Sequence, residues 1–154
     1  MVRKHGPAPA VHVNAVFYRQ AGQHPGVISA LLEAAGGRER MHRCFGLLLV
    51  GIPQAQRGKG EGQLAEILSL AGREIPAVPY RKFVGEHASA SAVATVLAVE
   101  WVRSGALPPF PENGRSADLR GKGILVLGLG NTVTAMEILP GPAGCAQSGE
   151  VTGP

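Results

Sequence analysis

ASASAVATVLAV, residues 88–99, carries no charge on any face of a helix and is built mostly from alanine, serine and valine. The helical pattern continues through Ser104, and Gly105 with Pro108-Pro109 closes it, so a helix is predicted over 88–104. A helix without a polar face belongs inside a protein, and its small residues let another element approach its backbone closely. One sheet covers only one side of such a helix. In a chain of 154 residues little remains for the other side, so either a partner subunit or loops of the same chain must cover it.

Outward from this helix the chain alternates strands and helices. VHVNAVFYR (11–19) is rich in β-branched and aromatic residues and reads as a strand. Pro25 opens a helix in which Val27, Ile28, Leu31 and Leu32 recur at helical spacing, and Gly36-Gly37 stops it. Residues 38–43 read as a charged connector. FGLLLVGI (45–52) is a continuous apolar run of strand length, expected to be covered on both faces. A polar, glycine-rich loop is predicted over 53–62 and a helix over 63–70. The strand at 75–80 should be an edge or irregular one because it contains Pro76 and Pro79. Residues 123–127 and 132–139 read as two strands joined by a tight glycine turn. The order β-α-β-α-β-α-β-β predicts a layered α/β domain with a mixed sheet over 11–139. A flexible N-terminus (1–10) and a Gly/Pro-rich tail (140–154), expected to be disordered, flank it.

Composition narrows the function classes. Hydrophobic residues make up 45% and charged residues 17%, which excludes disorder of the whole chain. Eleven arginines and four lysines against eleven acidic residues give a net charge of +4, either a solvated surface or a basic face for an acidic partner. The basic residues are scattered and aromatics reach only 5%, so no nucleic-acid surface is expected. The longest uncharged apolar stretch is too short for a bilayer, and residues 1–10 do not resemble a signal peptide. Cys44 and Cys145 lie far apart with neither metal-ligand nor CxxC spacing; no disulfide framework is expected, and a cytoplasmic, reducing location fits. No zinc spacing or carboxylate pair points to a metal, and no cofactor is expected. GLGNTV (128–133) is only a partial dinucleotide fingerprint, and RGKGEG (57–62) lacks the ending of a phosphate loop.

Three stretches, in order, resemble the C-terminal half of β-ketoacyl synthases, condensing enzymes of the thiolase superfamily. KFVGEHASASAVATVLAVEWVRSGALPP (82–109) has Lys82 five residues ahead of His87, then the small-residue helix and Pro108-Pro109. ILVLGLGNTVTAMEI (124–138) is similar to the family's strand–glycine turn–strand: Gly128, Gly130 and Thr132 match, while Leu129 replaces a gating Phe and Val133 an Asn. GLLLVGIPQAQRGKGE (46–61) resembles the strand and loop that carry the family's first catalytic His, but Pro53 stands in its place. The upstream helix (24–36) also fits the layout.

The resemblance implies a thiolase-like half-domain whose catalytic positions are His87 and Lys82, retained in function or vestigial, and whose substrate-binding turn is Gly128, Leu129, Gly130, Asn131 and Thr132. A helix start would keep His87 neutral as a donor toward a developing enolate oxygen, and Lys82 would supply fixed positive charge. His87 capping the helix and Lys82 lying in a solvated Arg-Lys pair are the structural alternatives. The family's nucleophilic Cys lies in a half that this chain lacks, and neither Cys44 nor Cys145 replaces it; His5, His12, His24 and His42 carry no assigned role. Three functions stay open. One is a non-catalytic, chain-length-factor-like subunit that pairs with a condensing enzyme or a second copy in fatty-acid or polyketide synthesis, visited by an acidic acyl carrier protein. Another is the C-terminal half of a split synthase, an acyltransferase only within its complex. The third is an unrelated small-molecule-binding domain.

Overall fold

The computed structural model describes residues 10–23, 25–110 and 118–141 together with Cys145. The N-terminus up to residue 9, with His5, then His24, and the tail apart from Pro140, Gly141 and Cys145 lie outside the described residues, and so do the expectations placed on them. Five strands, β1 (Val11–Gln20), β2 (Phe45–Gly51), β3 (Ala77–Pro79), β4 (Gly123–Gly128) and β5 (Thr132–Pro140), form one sheet in the order β1-β5-β4-β2-β3. All five predicted strands are in it. The interior strand β2 runs parallel to β3 and to the central β4, while β5 is antiparallel to β4 and β1 antiparallel to β5. The domain is therefore mixed α/β.

Alternation along the central strands divides the core in two. On one face, Leu48 and Val50 of β2, Leu125 and Leu127 of β4, and Val133 and Ala135 of β5 meet three helices, α1 (Val27–Ala34), α2 (Gly37–Cys44) and α3 (Arg57–Ala71). On the other face, Leu47, Leu49, Ile124, Val126 and Ile138 meet one long helix, α5 (Ala90–Ser104), which follows the four-residue α4 (Arg81–Val84). This is why β2 reads as a continuous apolar run: both of its sides are covered. The buried stripe of α5 is Ala90, Ala94, Ala98 and Val102, spaced one turn apart, so alanines set a close approach to the sheet. Its outward face is not covered by the described residues: Ser91 and Ala92 are exposed, as are Val93 (41%) and Val96 (64%).

Several local expectations are corrected. The charged connector is helix α2, amphipathic in a minimal way: only Met41 and Cys44 are buried, and Arg40 forms a bidentate ion pair with Glu137 of β5. The Glu137 side chain is 4% exposed, so this pair lies inside the protein. The glycine-rich loop is shorter than expected, because α3 begins at Arg57 and buries a stripe at Gly60, Gln63, Ile67 and Ala71. Strand β3 is trimmed to three residues, although the carbonyl of Pro76 still accepts from Leu48 N and Tyr80 N donates to Val50 O. The two cysteines form a disulfide, with Cα atoms 5.4 Å apart across 101 residues of sequence. Cys44, at the end of α2, lies in the core, and Cys145 packs against that core from the segment after β5. Spacing along the chain carried no sign of this, because the antiparallel return of β5 is what brings the two ends together. No helix among the described residues is long and apolar enough to cross a membrane.

Candidate functional site

The connections of the sheet define where a ligand site is expected. The chain leaves β2 for β3 on one side through α3, then crosses back to β4 on the other side of β2 through α5. In open α/β sheets, crevices lie outside the carboxyl ends of the strands near such a reversal. Three sets of residues gather at this end.

The first is the turn after β4, residues 128–132. Gly130 has φ 132°, a conformation that favours glycine, and a Cβ there would press on the end of the Gln56 side chain. Gln63, buried on α3, holds the turn by a reciprocal pair: its Nε2 donates to Gly130 O at 3.0 Å, and its Oε1 accepts from Gly130 N at 2.7 Å. Asn131 N donates to Gln56 Oε1 at 2.6 Å, and Lys59 Nζ donates to Asn131 Oδ1 at 3.3 Å. Leu129 N donates to Gly51 O, which ties the ends of β4 and β2 together. Leu129 is buried. The amides of Leu129, Gly130 and Asn131 are thus all engaged within the chain, so the turn is a locked structural element whose donors point to protein acceptors.

The second set is the histidine and lysine of the resemblance. His87 is exposed just before α5, and its Nε2 is 3.2 Å from Val84 O, a local contact across the turn after α4. The hydrogen bonds of the 128–132 turn run to α3, to Gln56 just before it, to β2 and to Ala21 after β1, and that of His87 runs to α4. Lys82 lies on α4, at the wall of a cleft.

That cleft, about 450 Å³, is the third set. Its apolar floor is Val50, Ile52, Leu64, Ala77 and Pro79, from the ends of β2 and β3 and from α3. Gln54, Arg57, Arg81 and Lys82 line it together with Glu61 and Glu86. Arg57 pairs with Glu61 at 2.8 Å, one turn along α3, and that carboxylate holds the Arg57 pKa above its ordinary value. Arg81 pairs with Glu86 at 2.9 Å, and its Nε is buried with no hydrogen-bond partner among the described residues. Tyr80 is buried beside Arg81, and burial pushes its phenol upward while the neighbouring guanidinium opposes the shift. A Cβ on Gly51 would run into the Tyr80 phenol, so the glycine that ends β2 makes the space that this ring fills.

Of the residues expected to act, the structure brings Lys82 to the cleft and Gly128–Thr132 to the neighbouring strand end. The thiol chemistry is closed off by the bond between Cys44 and Cys145. Gln56, Gln63, Arg57, Arg81 and Glu86 were not singled out from sequence. For Arg57 the signal was present in RGKGEG, which marks a helix start in place of a phosphate loop; a lone glutamine gives no comparable sign. Comparison with protein-family models, curated proteins and solved structures finds no match for this chain.

Proposed function

We propose that the chain is a non-catalytic, thiolase-like subunit that works by assembly, pairing through the outward face of α5 with a β-ketoacyl-synthase condensing subunit or a second copy. The observation that carries this reading is the uncovered apolar face of α5: Ala92, Val93 and Val96 stand exposed on a helix with no charge between residues 88 and 99. Apolar surface of this kind marks interaction sites in soluble proteins. Support from the rest of the chain is negative in sense but chemically specific. Pro53 occupies the position where the resemblance expects a catalytic histidine, and both cysteines are bonded to one another, so neither thiol is free to hold an acyl group. In this reading the chain shapes an acyl channel of a fatty-acid or polyketide synthase, with an acidic acyl carrier protein approaching its basic surface; the disulfide removes the ground on which a reducing location was expected.

The test is assembly. Light scattering of the purified chain, alone and with a condensing subunit, should give a mass above that of the monomer. Ala92→Arg should abolish it, because a buried unpaired charge costs several kcal/mol. The isolated chain should not condense malonyl and acyl thioesters. A wild-type monomer under all these conditions, or condensation by the isolated chain with both cysteines changed to serine, would remove the proposal.

A further inference from the structure

The sheet ends in two edge strands of opposite character. β3 is three residues long, follows Pro76 and closes on Pro79. Short strands and prolines are how natural sheets keep an edge from pairing. β1, at the other end, is ten residues long and contains no proline, lysine or acidic residue. Its one charged residue is Arg19, and Val13 (47%) and Tyr18 (63%) stand exposed on it. An edge of this kind is a template for a further strand.

The hydrogen bonds at the two ends of β1 fix which of its backbone groups point outward. Gly141 N donates to Ala10 O just before the strand, and Ala21 N donates to Asn131 O just after it. Alternation in an antiparallel pair then turns the N–H and C=O of Val11 and Val13, before the bulge, away from β5. Those of Tyr18 and Gln20, after the bulge, point the same way. The extra residue, Val16, also brings an odd and an even position to one face. Val13 and Tyr18 both lie on the α5 side, opposite Ile138 and Thr134 of β5.

We propose that β1 pairs antiparallel with β1 of a second copy about a two-fold axis, over the whole strand. In that register Val11 lies opposite Gln20 and Val13 opposite Tyr18, once on each side of the axis. These are the four residues whose backbone groups face outward, so the register supplies partners for all of them. A slip by one residue would set outward groups against inward ones. Val13 against Tyr18 makes a β-branched–aromatic pair, one of the kinds that stabilise sheets, and the axis makes it twice. Arg19 falls opposite His12, so the one cation of the strand does not meet itself. On the α1 side, an open groove of about 620 Å³ between β1 and α1 receives His12 and Asn14 of the second copy, with the Glu33 carboxylate in its wall as acceptor. The two five-stranded sheets become one, through a surface separate from the outward face of α5.

Sedimentation equilibrium of the Ala92→Arg chain, with assembly through α5 removed, reads this edge by itself and should still show pairing of two copies. In that background Tyr18→Lys and Val13→Glu, both at exposed positions, should each weaken pairing about tenfold. Combined, they set opposite charges across both pairs and should recover most of the loss. Amide exchange of the wild-type chain tests the edge without a substitution. The Val13 and Tyr18 amides should be protected in concentrated protein and exchange freely on dilution, while that of Asn14, which points to β5, stays protected at both. Edge amides that exchange freely at every concentration, or an Ala92→Arg chain that stays monomeric, would overturn the pairing. A double variant no better than either single one would overturn the register.

Discussion

The two faces of the sheet are closed in opposite ways. On one face, α1, α2 and α3 cover the strands, a buried ion pair joins α2 to β5, and a disulfide ties the end of α2 to the segment beyond β5. On the other, α5 meets the strands along a row of alanines, and its far side keeps Val93 and Val96 in solvent. Phe83, half-exposed, extends this apolar side through its contacts with Trp101 and Phe110. The first face is finished by the chain itself. The second buries the inner row of α5 just as tightly and leaves its outer side exposed among the described residues.

Substitutions on the two faces should therefore differ in size and in kind. The largest effect is expected at Arg40. Arg40→Met removes one partner of a buried pair and leaves Glu137 uncompensated, for a loss of about 3–5 kcal/mol in urea unfolding. A loss under about 1 kcal/mol would show that water reaches Glu137 and that this face is less closed than described. Reduction of the disulfide comes next. It releases a loop of about one hundred residues, and unfolding free energies from denaturant curves with and without dithiothreitol should differ by about 2–4 kcal/mol. Cys145→Ser should reproduce the reduced protein and be insensitive to the reagent.

On the α5 side the inner row should be less sensitive and the outer row silent. Ala94→Leu forces extra methyl groups into the closest approach of helix and sheet, for about 1–3 kcal/mol, read from the melting temperature. Val96→Ser should change the stability of the isolated chain by no more than about 0.5 kcal/mol, while weakening any assembly. A Val96→Ser variant that unfolds early would mean that α5 is already covered, and the contrast between the faces would fall with it.

How far the fold was legible follows from where its information is stored. The core of β2 and β4, the alternating β5 and helix α5 could be read directly, because β2 and β4 are continuous apolar runs, β5 alternates about a glycine turn, and α5 opens on a long uncharged stretch. Helix α2 could not: GRERMHRC offers two buried residues in eight, and the partner that fixes Arg40 is a glutamate 97 residues away. The first turns of α3 hide behind glycines that disfavour a helix locally; Gly60 is tolerated because it packs directly on Ile52, a contact no local pattern announces. For the same reason the site was half visible. Lys82 and the glycine turn stood out as motifs, whereas Gln56 and Gln63 matter only through partners 75 and 67 residues away.

The disulfide also decides how the molecule responds to force. A pull on its two ends cannot stretch anything between Cys44 and Cys145, because the bond carries the load past them. That shields β2 through β5 and hides roughly 350 Å of chain, at about 3.3–3.6 Å per residue over 101 residues. Within the described residues, only β1 and α1 with most of α2 remain to be drawn out. Because β1 is an edge strand held by one neighbour, it would peel from β5 while the rest of the sheet stays knotted behind it.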